Sequence, residues 1–207
     1  MQQSDPANAP SLRGPLNSYS VEFDQKWLHM PIPAALLGAT HMTWAMWVKR
    51  IGTFSAYDSF PNIFMCSVSG GSTTSGGGFC RHNIGDALTY SRCGQDGRLS
   101  ISVGIPESEF PLDQWVHVAA VDTPTQLKFF KNGVLEHQRT TSTGGFPSSA
   151  GSFELSAGAS FDGSRPTPVA LSDLRIYDRA LEDAEIPGLM ERAVAPFDPN
   201  LRVYVPL

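Results

Sequence analysis

Large apolar residues recurring at every second position, in short runs cut off by turn residues, constrain this chain more than any other feature. Residues 42 to 49 show the pattern best, with Trp44, Met46 and Val48 on one side of an extended chain and Thr43, Ala45 and Trp47 on the other. Both sides carry bulk, so this is an inner strand covered on both faces. Tyr19, Val21 and Phe23 alternate with Ser20, Glu22 and Asp24 and form a first strand with one buried face. Residues 88 to 90 and 99 to 103 flank the turn-rich Gly94-Gln95-Asp96-Gly97 and read as a hairpin. Residues 114 to 122 and 127 to 131 are β-rich runs, and the second leads into Asn132-Gly133, the pair that best tolerates positive φ at both turn positions. Residues 134 to 138 then return antiparallel. Residues 153 to 157 and 169 to 177 add two strands, and Leu201, Val203 and Val205 a last one. Residues 180 to 186 are expected to form one short helix stopped by Pro187-Gly188.

About ten short strands with a single helical turn or two leave an all-β protein as the economical solution: two antiparallel sheets packed face to face as a jelly-roll sandwich. Residues 67 to 78, with five glycines and almost no apolar side chain, are expected to form a long exposed loop, and Gly76-Gly77-Gly78 its tip.

Composition narrows the function. Of the 207 residues, 41% are hydrophobic and 17% charged, which excludes disorder throughout. A formal charge of −5 without a Lys/Arg cluster removes the electrostatic term that nucleic-acid binding needs. No apolar stretch is long enough to span a bilayer, and the start, Met1-Gln2-Gln3-Ser4-Asp5-Pro6, lacks the basic and apolar parts of a secretion signal. An extracellular role is therefore expected to come by another route, such as release with a virus particle or earlier removal of a signal. Cys66, Cys80 and Cys93 cannot all pair within one chain and lack zinc or redox spacing. Cys80 and Cys93 could meet across a hairpin, but buried thiols are the preferred reading.

Residues 1 to 17 are rich in Pro, Ser, Asn and Gln and cannot form a core of their own. They are expected to be an extended arm, with Gln2, Gln3, Leu12, Arg13 and Leu16 contacting a protein partner or a second copy of the chain. Residues 18 to 207 then form one sandwich domain.

Several segments, in order, resemble the laminin-G-like branch of the concanavalin-A-like lectin and glucanase superfamily. They are Ser20-Val21-Glu22-Phe23-Asp24, then 42 to 49, Gln114-Trp115-Val116-His117-Val118-Ala119, Leu127 to Val134 with its Asn-Gly turn, and Leu171-Ser172-Asp173-Leu174-Arg175-Ile176-Tyr177-Asp178 through Leu181. The resemblance runs from residue 18 to about 190. It implies two curved sheets and a protein that binds glycans, proteins or calcium. Asp24 and Asp173 are the positions that would meet a calcium ion. Gln25 replaces the usual glycine and Ser172 a frequent acid or amide, which thins that cage, so structural aspartates are the preferred reading and no cofactor is expected beyond that one candidate.

A non-catalytic role follows from the missing chemistry. Glycan-cleaving relatives place two carboxylates on alternate positions of one strand, and no such acidic strand is present. Glu107 and Glu109 alternate but sit between Pro106 and Pro111 in an apparent loop. The five histidines show no metal or nucleophile spacing, and His117 reads as a packed core residue. Sugars are held by aromatic faces and a few fixed polar groups, which makes Trp27, Tyr57, Phe60 and Tyr90 the candidates, while Trp44, Trp47 and Trp115 belong to the core. Two settings fit such a protein. One is a virion surface component of a phage, either capsid decoration or tail and host attachment, and the other is a glycan-binding adhesion module at a cell surface or outside the cell. A glycan hydrolase or lyase ranks last.

Overall fold

The computed structural model describes residues 20–23, 27–53, 62–68, 76–80, 86–93, 99–140, 153–159, 166–191 and 198–206. Thirteen strands run through these residues: β1 (Val21–Phe23), β2 (Leu28–Pro31), β3 (Met42–Arg50), β4 (Asn62–Val68), β5 (Gly76–Cys80), β6 (Asp86–Cys93), β7 (Leu99–Pro106), β8 (Trp115–Asp122), β9 (Gln126–Lys131), β10 (Val134–Thr140), β11 (Phe153–Ala157), β12 (Val169–Tyr177) and β13 (Leu201–Val205). One α-helix, α1, spans Gly188–Glu191. The strands build two antiparallel sheets. Sheet A runs β1-β12-β3-β8-β9-β10, with β13 also on β12, and sheet B runs β2-β11-β4-β5-β6-β7.

The expected all-β sandwich is what the chain forms, because each alternating run puts one apolar face into a shared core. Trp44, Met46 and Val48 of β3 meet Phe64, Phe79 and Tyr90 of sheet B. Trp44 packs edge-to-face on Phe64 at 5.2 Å and on Tyr90 at 6.1 Å, and Phe79 reaches Phe129 of sheet A at 6.2 Å. Such aromatic pairs add about 0.5–1.5 kcal/mol each beyond the area they bury. At the Asn132-Gly133 turn both residues take positive φ, 48° and 79°, as the pair predicts.

Four expectations are corrected. The glycine run is not a loop tip: Gly76–Cys80 is an inner strand of sheet B, and Ser67 and Val68 belong to β4. Gly77 lies opposite Arg92 and Cys66 in the ladder, and the missing side chain suits a position squeezed between two strands and beside a buried arginine. Residues 180 to 186 are not helical; they form a strap of turns, and α1 begins after Pro187, where proline's fixed φ and missing N–H suit a helix start. Within β1 only Phe23 is buried, and Val21 is exposed at the sheet edge. Trp115 is only half-buried, with the Lys49 ammonium 5.4 Å above its ring.

The cysteines follow the ladder. Cys80 stands opposite Thr89 and Cys93 opposite Gly76, four positions apart (80 against 76), or about 13 Å at ~3.3 Å per residue, too far for a disulfide. Cys66 is a buried thiol whose pKa burial pushes up to about 12.

Candidate functional site

The outward face of sheet A is closed by the chain's own strap. Ala45, Ala119, Val121, Phe130 and Tyr177 point away from the main core and form a second apolar cluster with Leu181, Ile186 and Leu189. Thr43 pins the strap from both sides, its Oγ1 donating to the Arg179 carbonyl and accepting from the Leu181 N–H, each at 2.9 Å. Arg175 donates from Nη1 to the Leu189 carbonyl at 3.1 Å. His117 lies on this face, edge-to-face with Trp47 at 5.3 Å. Burial, with the Arg175 charge adding to it, lowers the His117 pKa to about 3, so it is a neutral packed ring, as its apolar neighbours in the sequence suggest.

Asp173 sits at a bulge in β12, between Ser172 and Arg175, with φ at 58°. Arg175 engages both of its carboxylate oxygens, donating from Nε at 3.2 Å and from Nη2. A hard cation would have to displace that fork, and among the described residues no group of three His, Cys, Asp or Glu side chains is arranged to hold a metal. Both carboxylate oxygens of Asp173 are thus committed to Arg175; Asp24 lies outside the described residues.

Tyr90 is removed from the sugar-binding candidates. Its ring is fully buried between the sheets, and its hydroxyl donates to Asp122 Oδ2 at 3.2 Å. The polar neighbours that suggested a surface position, Ser91 and Arg92, are themselves buried. Arg92 reaches across to Asp122 at 2.5 Å and donates to the Thr123 carbonyl at 3.2 Å, forming a polar tie between β6 and β8. Asp122 is 1% exposed, and burial raises its pKa to about 6 against the opposing pull of Arg92 and the Tyr90 hydroxyl. A perturbed acid of this kind marks many active sites. Here it has no access to solvent. Glu107 and Glu109 are exposed on a one-turn 3-10 helix, where Arg50 binds the first and Lys131 the second at 2.5 Å.

Trp27 is the candidate that stands at the surface, 48% exposed, immediately before the edge strand β2. Leu28 and Met30 pack toward the core, as do Leu155 and Ala157 of the neighbouring β11. By strand alternation Trp27, His29, Glu154 and Ser156 therefore share the outward face of sheet B. The rings of Trp27 and His29 lie 6.3 Å apart at 44°, and His29 Nδ1 is 3.7 Å from Glu154 Oε2. Ser156 stands opposite His29 in the ladder, fully buried, with an Oγ that lacks a hydrogen-bond partner. The result is an aromatic face flanked by an imidazole and a carboxylate. His29 was legible in hindsight, two positions from Trp27 on one strand; Glu154 comes from 125 residues away (154 − 29) and left no local signal. Tyr57, Phe60 and the arm residues Gln2, Gln3, Leu12, Arg13 and Leu16 lie outside the described residues.

Residues 26–187 match the Laminin_G_3 family of the concanavalin A-like lectin/glucanase superfamily. The chain belongs to this family. The family's two-sheet architecture is the one built above from alternation and register. Among solved structures, the fold is similar to that of a Bacteroides ovatus protein provisionally described as carbohydrate-binding, with a TM-score of 0.67 at 17% identity over 90% of this chain and 50% of that one. It is also similar to domain 4 of an extracellular arabinanase from Geobacillus stearothermophilus, solved with arabinotriose, with a TM-score of 0.57 at 16% identity over 75% of this chain and 69% of that one. A third is the binding domain of botulinum neurotoxin serotype D, with a TM-score of 0.62 at 13% identity over 83% and 42%. This chain thus spans half the length of the Bacteroides protein, and at these identities the likeness is one of fold. No curated protein matches the sequence. Among the described residues, no helix is long and apolar enough to cross a membrane.

Proposed function

We propose that this protein is a non-catalytic saccharide-binding module whose ligand stacks on Trp27. The observation that carries the reading is a half-exposed indole next to an imidazole that itself adjoins a carboxylate, at the β2–β11 edge of sheet B. Aromatic faces bind the C–H side of sugar rings, and flanking polar groups take their hydroxyls. The solved relatives named for carbohydrate binding or crystallised with arabinotriose support it. Absence of catalysis is proposed because Glu107 and Glu109, the alternating pair of acids, are engaged by Arg50 and Lys131, and Asp122 is sealed between the sheets.

Isothermal titration with arabino-, xylo- and gluco-oligosaccharides tests this. Binding of at least one of them, lost in Trp27→Ala and unaffected by EDTA, is the expected result. A titration silent for every saccharide, or a Trp27→Ala variant that binds like the parent, would overturn it. Binding should leave the oligosaccharides uncleaved; released reducing ends would place the protein among the hydrolases.

The finer setting we propose is a phage virion surface, as capsid decoration or host attachment, with residues 1 to 17 reaching a protein partner or another copy. Its rival is an adhesion module at a cell surface. Deleting residues 2 to 17 should abolish assembly while leaving the thermal melt intact, and unchanged assembly would favour the adhesion module.

A further inference from the structure

We propose that the Trp27 patch selects neutral, hydroxyl-rich saccharides and that Glu154 is the residue that turns anionic ones away. The inference rests on the saccharide reading above and adds the ligand's charge class. Glu154 is fixed on the outward side of β11 because Leu155 is drawn into the core, and its side chain keeps 35% of its exposure. His29, 27% exposed, lies between it and Trp27, within 3.7 Å of the carboxylate and 6.3 Å of the indole ring. A saccharide that rests one ring on Trp27 and runs along β2 therefore passes the imidazole and reaches the carboxylate, which stands opposite Pro31. A carboxylate accepts hydrogen bonds from ring hydroxyls, two oxygens serving neighbouring O–H groups, and these charge-assisted bonds are the stronger kind. The same oxygens repel a uronate or sialate carboxylate.

Among the described residues, no Lys or Arg stands within ion-pair distance of Glu154, and His29 is its basic neighbour. The formal charge of −5 adds a long-range field of the same sign. Two like charges about 6 Å apart in a mostly aqueous setting change affinity by about three- to tenfold. Lys26, next to Trp27 in the chain, lies outside the described residues and is kept in every variant below.

The test uses the intact chain and two probe sets of equal length, neutral gluco- or arabino-trisaccharides and trigalacturonate, titrated into the parent, Glu154→Gln, Glu154→Lys and Trp27→Ala. The parent should bind a neutral trisaccharide at least about tenfold more tightly than trigalacturonate. Glu154→Gln, which keeps one acceptor oxygen and the shape, should narrow that gap by about three- to tenfold. Glu154→Lys should narrow it further or reverse it, and Trp27→Ala should remove binding of both probes. An unchanged gap in Glu154→Gln and Glu154→Lys, with Trp27→Ala still losing both, would sink the charge selection and leave the saccharide reading standing. A parent that prefers trigalacturonate would do the same. A parent that binds neither probe nor any other saccharide would overturn both.

Discussion

The buried tie between Asp122, Arg92 and Tyr90 predicts an unusual pH dependence of stability. Burial is the largest influence on Asp122 and raises its pKa from 3.8 to about 6, so the carboxyl is bound more tightly to its proton in the folded chain than in the unfolded one. A group whose folded pKa is raised adds stability below its unfolded pKa and loses it as pH climbs through the folded value. The separation of 2.2 units (6 − 3.8), at 1.36 kcal/mol per unit, amounts to about 3 kcal/mol, present below pH 4 and gone above pH 6. Other carboxylates with lowered pKa, such as Glu185 under its bidentate bond to Arg179, act in the opposite direction and must be subtracted. Asp122→Asn does that, since the amide imitates the protonated acid and titrates nowhere. Urea unfolding of both proteins from pH 4 to pH 7 gives the difference curve. The parent's stability relative to Asp122→Asn should fall by about 2–3 kcal/mol across that range. If the pair with Arg92 outweighs desolvation, the curve will be flat or rise with pH, and Asn will cost about 3–5 kcal/mol at neutral pH, as breaking a dominant buried ion pair does. That result would refute the ordering of effects.

Gly104→Ala should lower the chemical-denaturation midpoint by the equivalent of about 1–3 kcal/mol or more, because an added Cβ would come within 2.3 Å of the Leu88 carbonyl oxygen in the paired strand β6, which cannot retreat. Gly158→Ala combines a left-handed φ of 82° with a Cβ 2.3 Å from the Phe23 ring, so its thermal midpoint should fall, and protection from hydrogen exchange should be lost first in β1. Trp44→Ala empties the junction of Phe64 and Tyr90 and should cost about 3–5 kcal/mol by urea unfolding. Trp27→Ala should leave the melting curve within the range typical of surface substitutions, about 0.5 kcal/mol, because the ring is half in water; a large loss would mean Trp27 is a packing residue.

What the sequence could convey depended on how local the cause was. Alternation along residues 42 to 49 is a property of one strand, so the fully buried faces of β3 were readable, as was the turn at Asn132-Gly133. Gly76-Gly77-Gly78 was misread because its place in sheet B is set by the flanking strands that it pairs with on both sides. Local propensity opposes a strand there, and tertiary pairing prevails. Tyr90 was misread for a related reason. Its polar neighbours Ser91 and Arg92 look like surface residues until Asp122, from the opposite sheet, is seen to receive the tyrosine hydroxyl and the guanidinium. In the candidate site, Trp27 could be singled out alone, whereas its carboxylate partner arrives through the β2–β11 pairing.

The two sheets also differ in what their outer faces can do, and the difference traces to the strap after β12. On sheet A the outward residues of β3, β8 and β9 include Ala45, Ala119 and Phe130, a surface apolar enough to need a cover, and Leu181, Ile186 and Leu189 supply it. The cover is tied down at both ends, by Thr43 at Leu181 and by Arg175 at Leu189. A ligand on that face would have to displace an apolar cluster and expose the buried Arg175–Asp173 pair, losing interactions before making any. At the β2–β11 edge of sheet B, by contrast, His29, Glu154 and Trp27 keep part of their surface in water, and the adjoining strand edge is short and ends in Pro31, which discourages another strand from adding there. An indole held open at an edge unsuited to strand pairing is free to meet a ring rather than a backbone, and this is the physical ground for proposing the binding surface on sheet B.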